Sequence, residues 1–139
     1  MREEHEELHS ELRRATRIHG AVGTAAKHVA EILHPHFERE NELAMPVIGI
    51  AKELAEDRSS TDFPRAFELA EKFRSEYAKM LHEHEEILEA LAELEKAAKR
   101  AKKHAVIEFA RKLRTHAKIE EELTYPAVLM VGKLLRQGK

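Results

Sequence analysis

His36 and Glu40 stand four residues apart, and so do His116 and Glu120. On a helix that spacing puts an imidazole and a carboxylate on one face, about 6 Å apart along the axis, so both can serve as ligands to one metal site. The chain carries 10 histidines and no cysteine. Thiolate zinc sites, Fe–S clusters, disulfides and cysteine nucleophiles are therefore excluded, and any metal must sit on nitrogen and oxygen. The two pairs belong to a repeat. His36 to Pro46 aligns without a gap on His116 to Pro126, at an offset of 80, and shares the His, two Glu, the Leu and the Pro. At an offset of 79, His5-Glu6-Glu7-Leu8 matches His84-Glu85-Glu86-Ile87. Two helical hairpins of one pattern, a His and then His-x-x-x-Glu, follow each other in tandem.

The elements that must position these residues are helices. Gly and Pro number only 5 and 4, and Ala, Leu, Glu, Lys and Arg dominate, as in long helices. No segment alternates apolar and polar residues as a strand would. Breaks fall at His19 to Thr24, with Thr24 as the expected N-cap, and at Asp57 to Pro64, with Pro64 opening the next helix. The third break is the basic cluster Lys99 to Lys103. Four helices are predicted over 2–19, 24–57, 63–99 and 104–136, with Pro46 and Pro126 kinking or interrupting the second and fourth. The whole chain, 1–139, reads as one domain.

Antiparallel helices bring His5, His36, His84 and His116 to one level only if each turn lies midway between successive histidines. The midpoints fall at Gly20, Ser60 and Arg100. The first two coincide with turn signals recognised independently, and the third is what places the last turn in the basic cluster. The fold class is thus all-α, an antiparallel up-down four-helix bundle of two tandem hairpins. One level of its core holds four imidazoles and two carboxylates, a costly set unless paired, protonated or metal-bound. A pair of divalent ions resolves that cost, with two imidazoles per ion and two bridging glutamates suiting Fe, Mn or Zn. A single His-x-x-x-Glu is ordinarily a surface pair; the phase-matched repeat favours the metal.

The sequence resembles hemerythrin-like proteins of the HHE cation-binding type. In that family the first and third helices each give a His, and the second and fourth each give His-x-x-x-Glu. The resemblance covers the whole chain, including the aromatic-Pro ending at Tyr125-Pro126. It implies a hemerythrin-like bundle with two non-haem iron ions, oxo- or hydroxo-bridged, held by His5, His36, Glu40, His84, His116 and Glu120. Zinc or manganese are possible substitutes. Oxygen-carrying hemerythrins have a second His one turn away on the third helix, where this chain has Met80 and Leu88. They have an Asp five residues after the fourth-helix His, where this chain has Glu121. The repeat partner of Glu121 is Asn41, a poor carboxylate bridge, so Glu120 is the expected bridge. His9, at i+4 from His5, is either an end-of-bundle histidine or a further metal ligand.

The remaining signals are weaker. Glu6-x-x-His9 and Glu31-x-x-His34 match the ferritin-like spacing but have no counterpart in the second half. His19, His28, His34, His82 and His104 read as surface residues. Leu8, Ile32, Leu33, Met80, Leu81, Ile87, Leu88, Leu113 and Ile119 are expected to line a dry pocket for a small uncharged ligand, and Tyr77 or Tyr125 could bring a hydroxyl near it. Past the metal level the first helix is much shorter than the fourth. Exposed apolar residues are expected at that end, namely Ile48, Leu54, Phe67, Phe73, Val128, Leu129 and Leu134, with self-association, as in a homodimer, filling the gap. Lys+Arg 24 against Asp+Glu 26 argues against nucleic acid as a partner. The apolar run Ala44 to Ala51 is too short to span a membrane, and the acidic start is unlike a secretory signal, so a soluble cytoplasmic protein is expected. The function expected from these residues is binding or reduction of O2 or peroxide. The alternatives are a non-enzymatic module that stores or senses iron or O2, and a structural bundle holding adventitious zinc.

Overall fold

The structure is a computed structural model and describes residues 2–138. Among these residues there are helices and turns but no strand. The elements are α1 (Arg2–Thr16), α2 (Ala21–Leu43), α3 (Met45–Gly49), α4 (Ala51–Ala55), α5 (Phe63–Ala101), α6 (His104–Ile119), a π-helical segment (Glu120–Thr124) and α7 (Tyr125–Gln137). Taking α6, the π segment and α7 as one column, four helical stretches pack in a ring: α1 on α2, α2 on α5, α5 on α6 and α6 on α1. No described helix is long and apolar enough to cross a membrane.

Each helix buries the stripe that its period dictates. In α1 the buried residues are His5, Leu8, Leu12 and Ala15, three or four apart. Glu3 and Glu4 in its first turn and Arg13 and Arg14 in its last match the helix dipole. In α6 the stripe runs through Val106, Phe109, Ala110, Leu113, His116 and Ala117. The apolar residues form two clusters. One, centred on Leu33, Phe37, Leu91, Leu94 and Phe109, joins α1, α2, α5 and α6. The other, around Leu43, Val47, Phe73, Met80, Tyr125 and Val128, joins the end of α2 with α3, α5 and α7. The histidines and glutamates singled out above lie between them.

Several boundaries differ from the sequence-based expectation. Residues 24–57 form three helices rather than one, because Pro46 has no N–H to continue α2 and instead occupies the first turn of α3. Thr24 is not an N-cap; α2 begins at Ala21, after Gly20 at φ 88°, and the Thr24 hydroxyl donates to the Gly20 carbonyl. Gly20 adopts a backbone conformation that other residues rarely reach. Gly23 is required for another reason: a Cβ there would lie 1.9 Å from the carbonyl oxygen of Ile18. Pro35 sits inside α2, beside His36, without ending the helix. At the basic turn, Lys102 takes the left-handed conformation and Lys103 N–H closes onto the Ala98 carbonyl.

The end beyond the short first helix is also more closed than expected. α3 packs on both α5 and α7, so it covers the end that the short first helix was expected to leave open. Phe73 and Val128 are fully buried there, and Ile48, Leu54, Phe67 and Leu129 are partly buried. Of the residues expected to be exposed, Leu134 alone is. It lies with Ile119, Leu123 and Met130 on the outer side of the fourth column.

Replacing Gly23 with Ala is expected to destabilise the protein by about 3 kcal/mol, since the neighbour it would strike is backbone. Gly49→Ala meets nothing within 4 Å and should be neutral or slightly stabilising. Denaturant melts of the two variants decide the matter; equal midpoints would overturn the assignment of the α1–α2 contact.

Candidate metal centre

Five of the helical segments contribute to one buried layer. α1 gives His5, α2 gives His36 and Glu40, α5 gives His84, α6 gives His116 and the π segment gives Glu120, all at 2% exposure or less. Their ligand atoms fall into two groups, His5, His116, Glu40 and Glu120, and His36, His84, Glu40 and Glu120, each gathered within 4.8 Å. Both glutamates belong to both groups. Glu120 Oε2 lies 2.9 Å from His116 Nε2 and 3.4 Å from His5 Nε2, while its Oε1 lies 3.1 Å from His84 Nε2. Glu40 directs Oε1 toward His5 Nε2 at 3.4 Å and Oε2 toward His36 Nε2 at 3.4 Å. Each carboxylate therefore spans the two groups with one oxygen apiece.

The imidazoles are held from behind by a closed circuit of hydrogen bonds. His5 Nδ1–H donates to Asn41 of α2 at 3.1 Å, and His36 Nδ1–H to Glu83 of α5 at 2.9 Å. His84 Nδ1–H donates to Glu121 of the π segment at 2.9 Å, and His116 Nδ1–H to Glu4 of α1 at 2.7 Å. Each helix thus orients the ring presented by its predecessor, and the fourth is oriented by the first. An oxygen opposite every Nδ1 fixes the proton there and leaves Nε2 to face the centre, the usual arrangement behind a metal-bound imidazole. Glu83 is in turn held by Arg39. These partners follow the same repeat as the ligands: Glu4 pairs with Glu83, each just before a His, and Asn41 with Glu121, each five residues after one. That periodicity is a signal the sequence carried. Glu121 lies outside both groups and faces His84 Nδ1 instead.

The electrostatics describe a site whose proton stands where a cation could. Burial acts to lower the His116 pKa, but hydrogen bonds and charge from Glu120 and Glu4 outweigh it and raise it to about 9. His36 is raised in the same way by Glu40 and Glu83. Burial would raise Glu120, yet hydrogen bonds from His116, His5 and His84 hold its carboxyl well below the usual range. Glu40 goes the other way, raised by burial and by the nearby Glu120 charge. Its Oε1 has no hydrogen-bond partner, an unsatisfied buried oxygen that costs about 1–3 kcal/mol. His5 Nε2 and His116 Nε2 lie 3.0 Å apart, so two ring nitrogens also converge here. A cation bound to both nitrogens and to that oxygen would relieve all three conditions. The residues present could hold a metal ion.

Tyr125 enters the layer from the second apolar cluster. Its hydroxyl donates to Glu40 Oε2 and lies 3.1 Å from His36 Nε2 and 3.0 Å from His84 Nε2. Burial, reinforced by the charges of Glu40 and Glu120, pushes this phenol far above its ordinary pKa. Tyr77 packs edge-on against the Tyr125 ring. The reason Tyr125 was hard to single out lies in the backbone. In an α-helix, position 125 is turned about 140° from Glu120. Here Tyr125 N–H bonds to the Glu120 carbonyl, five residues back, and the wider turn brings the ring round to the ligand face. Such π turns recur at functional sites.

His9 stays outside both ligand groups. It is half-buried one turn beyond His5, with its ring edge-on to His34 at 5.1 Å and to Phe37 at 5.2 Å. Of the expected lining, Leu8, Leu33, Met80, Ile87 and Leu113 are buried, but Ile119 is 43% exposed. One helical step of about 100° carries Ile119 off the face that Glu120 uses. A cavity of about 10 Å³ adjoins His36, His84, His116 and Glu120, walled by Leu33, Phe37, Ile87 and Leu113. It holds about one water-sized molecule. No family model matches this chain, and neither a curated protein nor a solved structure matches it.

Two outcomes follow. His116 is raised above its ordinary 6.5 to about 9, so its stabilisation of the metal-free protein is complete below pH 6.5 and is lost as the pH rises toward 9. Glu120 is depressed below 4.5, so its contribution is present above that value and lost in acid. The Tm of metal-free protein should therefore fall between pH 6.5 and 9, and fall less steeply in His116→Gln; a rising Tm would contradict the pairing. Glu83→Ala should weaken metal binding about 10–100-fold without changing stoichiometry, as read by chelator competition.

Proposed function

We propose that this chain is a hemerythrin-like protein, an antiparallel up-down four-helix bundle that holds two iron ions and binds or reduces O2 or peroxide. The observation that carries the reading is the sharing of Glu40 and Glu120 between two His-His groups, with Glu40 Oε1 left without a hydrogen bond at the core. The antiparallel arrangement is supported by ion-pair register. Arg39 pairs with Glu83 and Glu76, and Lys72 with Glu42, so rising numbers on α2 meet falling numbers on α5. His116 with Glu4 and Lys112 with Glu11 follow the same rule between α6 and α1. Iron is favoured over zinc or manganese by the resemblance of the ligand pattern, and nitrogen and oxygen donors suit it.

His5, His36, His84 and His116 would each supply one Nε2, and Glu40 and Glu120 would each bridge. When bound, the iron pair supplies the redox chemistry toward O2 or peroxide. The chain's own contribution is to fix six ligands before metal arrives, through the Nδ1 circuit and the axial register of the helices. Leu33, Phe37, Ile87 and Leu113 exclude bulk water and leave beside the site a cavity of about 10 Å³, the size of one water. A second reading, a binding module that stores or senses iron or O2 without turnover, is supported by how closed this cavity is.

Protein isolated in air should carry two irons per chain by elemental analysis. Glu40→Ala and His116→Ala should lose most of that metal while remaining helical by circular dichroism; two metals retained in both would overturn the ligand assignment. Peroxide consumption by the iron-loaded protein separates the two readings, since a bound iron pair without turnover would leave the binding module.

A further inference from the structure

We propose that Tyr125 is itself a protein ligand, to the ion held by His36 and His84, and that the two metal positions are therefore chemically unlike. This rests on the two-metal reading above. The ligands assigned so far are nearly symmetric, because the repeat exchanges His5 with His84, His36 with His116 and Glu40 with Glu120. Tyr125 breaks that symmetry. Its repeat partner is Met45, which lies just past the break at Ala44, where α2 ends with an ordinary i+4 bond to Glu40. The π turn that swings position 125 inward has no equivalent in the first half.

The distances that now serve hydrogen bonds also suit a ligand. Two ligands about 2.1 Å from one six-coordinate ion, at right angles, stand about 3 Å apart. Tyr125 Oη stands 3.0 Å from His84 Nε2 and 3.1 Å from His36 Nε2, and bonds directly to Glu40 Oε2. It occupies a place on the coordination shell that those atoms define, and the residue is fully buried. The corresponding wall of the other group is the Phe37 ring, stacked on His5 at 3.9 Å, which offers no donor atom. On binding, the phenolic proton leaves to solvent and the oxygen becomes a phenolate; no electron is transferred. The His36–His84 ion then has one more anionic ligand than its neighbour. The His5–His116 ion is left with fewer protein ligands.

The test is to load the protein with ferrous iron without oxygen, admit air, and record iron content, visible absorption and resonance Raman spectra. Wild type and Tyr77→Phe should hold two irons per chain and show a phenolate-to-iron(III) charge-transfer band with phenolate ring vibrations. Tyr125→Phe, which removes only the oxygen, should keep two irons and lose the band. Two irons without a band in wild type would overturn the tyrosine ligand and leave the two-metal reading standing. A band persisting in Tyr125→Phe would also overturn it, and failure to bind iron at all would overturn both. Should Tyr125→Phe not fold, the wild-type phenolate vibrations at a stoichiometry of two, set against Tyr77→Phe, decide the question.

Discussion

Glu40 and Glu120 meet between two apolar clusters, both essentially without solvent contact, where an isolated carboxylate would cost several kcal/mol. Most of the surrounding architecture answers that constraint. Three imidazoles converge on Glu120, and Tyr125 donates to Glu40. The helices must hold a common axial register for this to happen, because a slip of one residue moves a ligand about 1.5 Å along the axis and turns it about 100°. The two apolar clusters fix that register from either side. The compensation is incomplete, since one oxygen of Glu40 is still unpartnered.

The circuit of Nδ1 hydrogen bonds couples the same layer around the ring of helices. Its partners come from the adjacent column each time, so a ligand's orientation depends on a neighbour's position rather than on its own backbone alone. α1 is short, and its packing on α2 and α6 is confined to the first cluster. Yet it both contributes His5 and orients His116 through Glu4. This makes the shortest column indispensable to two ligands at once. One member of the circuit is Asn41 where the other three are carboxylates, so His5 has the least basic support.

Symmetry and its breaking organise the rest. The tandem repeat supplies two near-equivalent groups of ligands, and the chain then departs from it in the segments after the two glutamates. After Glu40 the helix breaks at Ala44, and α3 folds over α5 and α7 to close the end that the first helix does not reach. After Glu120 the chain widens into a π turn and continues through Pro126 into α7. The same motif thus yields a cap in one half and an inward tyrosine in the other.

The helices, the six buried histidines and glutamates and their common level were legible in the sequence because each follows from a period. An i+4 pair defines one face, a repeat defines two, and turns midway between the histidines define the register. The supporting residues Glu4, Asn41, Glu83 and Glu121 obey the same repeat and could have been read from it. What the tertiary structure decided was wherever the period fails. Tyr125 faces the site only because the backbone changes its hydrogen-bond spacing at Glu120, and Phe73 and Val128 are buried only because Pro46 turns a short helix back across them. Regular helix geometry carries a residue's direction forward from its neighbours. A π turn or a proline break resets it, and the new direction is set by packing between segments far apart in the chain.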